Sequence, residues 1–97
     1  MLHKISPTEV ESDAGFSLRP GPKDCWIYSE GDRHIYVTSE PAHFGREGWG
    51  EYLYLRSLPD CWLPPANIYV ISEVQREQIA INIQEGLRFL GVVFKVA

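Results

Sequence analysis

Three stretches of the chain alternate in a way that predicts strands of one sheet with two different faces. Side chains of a strand point to opposite faces with a period of two residues. The aliphatic residues of these stretches are predicted to share one face: Ile27, Ile35, Val37, Leu53 and Leu55. The aromatic residues and a threonine are predicted to share the other: Trp26, Tyr28, Tyr36, Thr38, Tyr52 and Tyr54. We expect the aliphatic face to pack against a helix and the amphipathic aromatic face to suit recognition.

Turn-forming residues set the predicted ends of these strands. Residues 26–30 and 33–40 form a predicted hairpin that turns at Gly31-Asp32, and Pro41 is expected to end its second strand. Residues 42–50 follow as a loop punctuated by glycines.

The chain continues with a third predicted strand over residues 51–58 and an extended connector over residues 59–65. The adjacent prolines Pro64-Pro65 favour polyproline II geometry and exclude a helix there. Trp62, just before them, is expected to be a packing anchor rather than a ligand contact, because large aromatic side chains are highly buried on average.

The first 24 residues are less clearly determined by their pattern. Ser6-Pro7-Thr8-Glu9 resembles a helix start with a capping serine, but no long apolar stripe follows it. We therefore expect at most one helical turn, or a loop. Residues 16–19 are predicted to form a short edge strand before the turn-rich Pro20-Gly21-Pro22.

One strong helix is predicted to begin after Ser72, which caps it together with Gln75 three residues later. Its apolar stripe should pack on the aliphatic sheet face and consists of Ile79, Ile83, Leu87 and Leu90. Gly86 would allow close approach to a strand, and Gly91 can adopt the left-handed conformation that ends helices. Residues 92–96 are predicted to form a final strand.

Three apolar side chains lie on the helix side roughly opposite the main stripe: Val74, Ile81 and Phe89. Either the N-terminal segment covers them or they contact another chain, for example a second copy in a homo-oligomer. Together the elements predict a single α+β domain over residues 1–97. Its mainly antiparallel sheet would be covered on one face by the C-terminal helix, with a final strand after it.

Composition narrows the function classes. The formal net charge of −4 argues against a general nucleic-acid binder, which usually carries a basic patch, and is compatible with a basic protein partner. We expect no signal peptide and no membrane span, because no suitable apolar run is present. Cys25 and Cys61 are then expected to be reduced thiols in a cytoplasmic protein.

No catalytic, metal or cofactor motif stands out. A Cys-His hydrolase would need Cys25 or Cys61 beside His34 or His43, and nothing in the sequence brings them together. The same residues lack the paired close spacings of zinc modules. Residues 45–50 are rich in glycine but lack the Lys-Ser or Lys-Thr ending of a phosphate loop. We therefore expect no enzymatic activity.

The candidate partner-binding residues come from the aromatic face and the adjoining loop: Tyr36, Phe44, Arg46, Trp49, Tyr52 and Tyr54. Aromatic residues and arginine are enriched at interface hot spots. Each group also has a purely structural interpretation. The loop could be a flexible hairpin connection, and the rings could stabilise the sheet as cross-strand pairs or lie under the N-terminal segment or the Trp62 connector.

The order of elements over residues 25–97 resembles small immunity proteins of bacterial polymorphic toxin systems. The resemblance begins with Tyr28-Ser29-Glu30-Gly31 and Glu40, then Tyr54 ahead of Trp62 and Pro64-Pro65. It continues with Ile71-Ser72, Arg76, Ile79, Asn82-Ile83 and the ending 87–96 around Gly91. The glycine-rich loop and Cys61 depart from the pattern.

This resemblance implies a cytoplasmic, non-enzymatic protein that binds and neutralises a cognate toxin. It transfers no toxin-contacting residues to this chain. The alternative hypothesis is a small-molecule-binding or enzyme-associated domain that uses a pocket between the loop at residues 43–50 and Trp62.

Overall fold

The computed structural model describes all residues from 1 to 97 and contains seven strands and one α-helix. The helix α1 spans Glu73–Phe89. The strands are β1 Leu2–Ser6, β2 Glu9–Ser12, β3 Phe16–Pro20, β4 Cys25–Glu30, β5 Arg33–His43, β6 Trp49–Leu53 and β7 Phe94–Val96. Short 3-10 turns occur at Gly45–Glu47, Leu55–Ser57 and Ala66–Ile68.

The seven strands form one sheet in the order β1-β2-β3-β4-β5-β6-β7. Neighbouring strands are antiparallel except β6 and β7, which are parallel because α1 lies between them in the chain. The predicted α+β class, with a mainly antiparallel sheet, one helix near the C-terminus and a strand after it, is confirmed. Helix α1 is not long and apolar enough to cross a membrane.

The predicted hairpin of residues 26–30 and 33–40 is present as β4 and β5, with Glu30 opposite Arg33 across the turn. Pro41 does not end the second strand, because β5 continues to His43. Strand β4 begins at Cys25, opposite Thr38, and after the bond from the Ser39 N–H to the Asp24 carbonyl the side of β5 next to β4 is open. A proline is tolerated there because its missing N–H would face no partner strand.

The predicted face of β4 is wrong. Trp26 lies opposite Val37 and Tyr28 opposite Ile35, and directly opposed residues project to the same face of a sheet. Trp26 and Tyr28 are therefore buried in the core with the aliphatic side chains. Ile27, opposite Tyr36, lies on the other face and is half-buried.

The N-terminal segment is a β-hairpin rather than a helical turn or a loop. Strands β1 and β2 turn at Pro7-Thr8, where the Thr8 N–H donates to the Ser6 hydroxyl. Strand β3 is present as predicted, but it lies between β2 and β4 and is not an edge strand. Val10 and Leu18 from this part of the sheet are fully buried in the core.

The third predicted strand, over residues 51–58, is shorter and begins earlier. Strand β6 pairs with the end of β5 from Trp49 to Leu53, and the chain then leaves the sheet in a 3-10 turn. In the connector after it, the Leu63 N–H donates to the His34 carbonyl and continues the edge of β5. Trp62 is buried in the core, as expected for a packing anchor.

Helix α1 begins with the predicted capping box, in which Ser72 and Gln75 bond to each other's backbone N–H. Its buried side chains are those of the predicted stripe: Ile79, Ile83 and Leu87, with Leu90 half-buried at the end. At Gly86 an added Cβ would lie 3.2 Å from Leu18 Cδ2 and 3.3 Å from Val10 Cγ1. This glycine therefore brings α1 close to β2 and β3, as predicted.

The opposite side of α1 is exposed in the single chain. Val74, Ile81 and Phe89 all lie on the surface, so the N-terminal segment does not cover them. Gly91 has a φ of 78° and ends the helix in the left-handed conformation, as predicted. Strand β7 follows it over the second half of the predicted final strand.

Candidate recognition surfaces

The face of the sheet opposite α1 carries no other element of the fold over β5 and β6. We define the outer face by the residues that strand pairing or a direct contact places there: Ile27, Tyr36, Thr38, Glu40, Phe44, Tyr52, Tyr54 and Lys95. Tyr36 is 47% exposed and Tyr52 38% exposed. The N-terminal segment and the Trp62 connector therefore leave these rings accessible.

One tyrosine of the outer face is hydrogen-bonded to a carboxylate that lies opposite a second tyrosine. Tyr52 lies opposite Glu40, and the Tyr54 hydroxyl donates a 2.5 Å hydrogen bond to Glu40 Oε2. Accepting this bond, the carboxylate favours the protonated phenol and raises the pKa of Tyr54 above its usual range. The ring of Tyr54 is thereby held in one orientation on the sheet surface.

Phe44 joins the outer face from just beyond the end of β5. Its ring meets Tyr52 edge to face, with centroids 5.2 Å apart, and Lys95 Nζ lies 4.8 Å from its centroid. The ring lies over Gly50, where an added Cβ would be 2.8 Å from Phe44 Cε2. Phe44, Tyr52 and Lys95 therefore form one packed group whose ammonium lies near an aromatic ring.

The other two predicted site residues do not join this group. Trp49 lies opposite His43, and the two rings meet edge to face at 5.2 Å. This pair projects to the sheet face that also carries Leu53, so Trp49 lies on the opposite side from Tyr52. Trp49 is 74% exposed, and Arg46 is exposed in the 3-10 turn. The six residues are thus divided between one aromatic face and the tip of the β5–β6 hairpin.

A pocket at the end of the sheet was not predicted from the sequence. Trp26 Nε1 donates a 2.8 Å hydrogen bond to Glu51 Oε1, joining β4 to β6 across the end of β5. Beside this pair lies a pocket of about 340 Å³, which we call the notch. It is lined by Pro20, Gly21, Lys23, Asp24, Cys25, Trp26, Ser39, Pro41 and Glu51. Only the pairing of β4 with β5 and of β5 with β6 brings these residues together.

The side-chain hydrogen bonds of Cys25, His34 and His43 go to other groups and do not join a cysteine to a histidine. The Cys25 thiol donates to the Pro22 carbonyl at 2.9 Å, and His34 Nδ1 lies 2.5 Å from the Ser29 hydroxyl. His43 Nδ1 accepts from the Gly45 N–H. Cys25 and Cys61 are both free thiols.

The pocket expected between the loop at residues 43–50 and Trp62 is not present. The four surface pockets have other linings, and none of them includes Trp62. Trp62 is instead enclosed by the core because the connector folds against the edge of β5. No family model, curated protein or solved structure matches the chain.

Proposed function

We propose that this protein is a non-enzymatic, cytoplasmic binding protein that neutralises a cognate toxin by holding it on the outer face. The observation that supports the proposal is the group of accessible rings of Tyr36, Phe44, Tyr52 and Tyr54 on a face that no other element covers. The resemblance of residues 25–97 to small immunity proteins agrees with this function.

The outer face has the chemistry of an interface centre. Tyrosine and phenylalanine offer large apolar area at a low cost in side-chain entropy, and tyrosine keeps a hydroxyl for hydrogen bonding. The contacts of Tyr54 with Glu40 and of Phe44 with Tyr52 hold these rings in place before a partner arrives. Such preorganisation lowers the entropy lost on binding.

The charge of the protein favours a basic partner. The formal net charge is −4, and Glu40 places a carboxylate in the middle of the outer face. Opposite charge on a partner would accelerate the encounter, and added salt would slow it. The net charge of the whole protein therefore favours encounter with a basic toxin over an acidic one, while the outer face itself carries one carboxylate, Glu40, and one ammonium, Lys95.

The test requires a candidate toxin, sought among the genes beside this one, and measures its binding by calorimetry and by rescue of bacterial growth on co-expression. Tyr36→Ala/Tyr52→Ala should weaken binding by at least about thirtyfold, since the loss of even one aromatic anchor at an interface centre commonly costs about 2 kcal/mol. Tyr69→Ala is the matched control, because Tyr69 is 48% exposed but lies outside the outer face. It should bind as the wild type does.

Thermal melting separates loss of binding from loss of folding. The double variant Tyr36→Ala/Tyr52→Ala and the control Tyr69→Ala should melt within a few degrees of each other, because the replaced rings are substantially exposed. Undiminished affinity of the double variant would contradict the proposal and move the contact surface to Val74, Ile81 and Phe89 on α1. A large loss of melting temperature would show that Tyr36 and Tyr52 are structural.

A further inference from the structure

The notch is formed by a difference in strand length. Strands β5 and β6 extend beyond the start of β4, and the residues between β3 and β4 form the opposite wall. Its volume of about 340 Å³ is large enough for a side chain or a small ligand. Trp26 is almost fully buried and is one of the lining residues, and its Nε1 donates to Glu51 beside the notch.

Two side chains of the lining, Glu51 and Ser39, keep hydrogen-bond acceptor capacity that the protein itself does not use. Glu51 Oε1 accepts from Trp26 Nε1, whereas the chain's ion pairs involve only Asp13, so the Glu51 carboxylate has no cationic partner. Ser39 is 6% exposed, and its hydroxyl makes no side-chain hydrogen bond within the protein. Pro41 contributes a carbonyl but no N–H.

The charges of the notch sum to a negative value. Glu51 and Asp24 supply two carboxylates, and Lys23 supplies the one ammonium, so the formal charge of the lining is −1. Lys23 and Asp24 are exposed at the rim, while Glu51 is half-buried beside the indole. The inner part of the notch is therefore the more negative part.

We propose that the notch binds an organic cation that carries N–H donors, a guanidinium or ammonium group, through the Glu51 carboxylate and the Ser39 hydroxyl beside the Trp26 indole. A guanidinium matches a carboxylate with short charge-assisted hydrogen bonds, is weakly hydrated and packs well on aromatic rings. The cation is either an arginine or lysine side chain of a partner protein or a small free amine. This site is separate from the outer face and does not depend on the proposed function.

The test follows the assigned indole N–H resonance of Trp26 by NMR during titration with N-acetylarginine amide. N-acetylcitrulline amide is the control ligand, because it has the same shape without the charge. We expect a saturable shift with the arginine compound and less than a tenth of its affinity for the citrulline compound. Equal binding of the two compounds, or no saturable shift with either, would overturn the proposal.

Protein variants locate the cation. Glu51→Gln keeps an oxygen that can accept from Trp26 and removes only the charge, so affinity should fall at least tenfold. Glu47→Gln makes the same charge change at an exposed residue outside the notch and should alter affinity less than twofold. Ser39→Ala should weaken binding severalfold and gives a second test if Glu51→Gln disturbs the fold. Unchanged affinity in both notch variants would refute the site.

Two further titrations distinguish the sources of the cation. Agmatine carries a guanidinium on a small free molecule, and a capped Gly-Arg-Gly peptide carries it on a chain. Tighter binding of the peptide assigns the notch to an arginine of a partner protein, and tighter binding of agmatine assigns it to a free amine. Failure of both would count against the proposal and would leave the outer face untouched.

Discussion

Two isoleucines two residues apart on α1 provide a direct test of how the helix is oriented. Ile83 is 0% exposed beneath the helix, and Ile81 is 48% exposed on its other side. Replacing a buried isoleucine by alanine removes the transfer free energy of its methyl and methylene groups and leaves a cavity, at a cost of about 2–5 kcal/mol. The better helix propensity of alanine returns about 0.4 kcal/mol at either position.

Ile83→Ala should therefore lower the free energy of unfolding by about 2–4 kcal/mol. Full burial of an isoleucine contributes roughly 1.5–3 kcal/mol, and about half of Ile81 is already in water. The same helix-propensity gain then leaves a net loss of about 1 kcal/mol or less for Ile81→Ala. Ile83→Asp should prevent folding altogether, because it buries a charge without a partner.

The assay is urea unfolding followed by both circular dichroism and tryptophan fluorescence, whose transitions should coincide for a two-state domain. A loss of 2–4 kcal/mol corresponds to a fall of roughly 10–25 °C in melting temperature for a domain of this size. Equal losses for the two alanine variants would refute the orientation of α1. If those losses depended on protein concentration, the Val74, Ile81 and Phe89 side would be buried in a homo-oligomer.

Two further predictions concern the ties between α1 and the rest of the fold. The Tyr28 hydroxyl donates to Glu30 and accepts from Asn82 of α1, so Tyr28→Phe should cost about 1–3 kcal/mol at neutral pH. Burial raises the pKa of Tyr28 above its ordinary value of 10.0, so stability present below pH 10 should be lost as the pH rises further. Urea unfolding from about pH 9 to about pH 11 should show a steeper decline for wild type than for Tyr28→Phe, and parallel declines would contradict this assignment. Ser72→Ala removes the capping box and should cost about 1 kcal/mol in thermal melts, and an unchanged melting temperature would show that the cap contributes nothing.

The features that were predicted correctly are those that depend on neighbours in the chain. Ser72 and Gln75 lie three residues apart, and their mutual capping requires only the first turn of a helix. The stripe around Ile83 follows from helical periodicity, and the turn at Gly31-Asp32 follows from the preference of glycine for positive φ, here 62°. None of these depends on a distant contact.

The predicted face of β4 is wrong because chemical likeness between side chains, on which the prediction rests, does not determine the register of a strand. With Gly31-Asp32 as a two-residue turn, Glu30 must oppose Arg33, and counting back places Trp26 opposite Val37. Two rings that look amphipathic in sequence are therefore core residues. Trp26 Nε1 donates to Glu51 and the Tyr28 hydroxyl accepts from Asn82, and no local pattern connects these two partners to the rings.

The N-terminal hairpin was missed for a related reason. Ser6-Pro7-Thr8-Glu9 carries a local signal for a helix start, but a helix needs an apolar stripe to pack, and none follows. The segment instead pairs Val10 of β2 with Leu18 of β3, and Gly86 allows α1 to pack closely against these two side chains. Packing against the helix thus decides the structure of this segment.

Adjacent residues of β6 belong to the two candidate sites. The sites lie on different faces of the sheet because successive side chains of a strand project to opposite faces. Glu51 projects to the face that carries Trp26 and the notch, whereas Tyr52 projects to the outer face with Lys95. A protein partner that used both would have to wrap around the tip of the β5–β6 hairpin, where Trp49 lies exposed. A small free amine needs only the notch. Variants of Glu51 and Tyr52 therefore change chemically different surfaces although the two residues are adjacent. If variants at both residues weakened binding of the same partner, that partner would contact both faces of the β5–β6 hairpin.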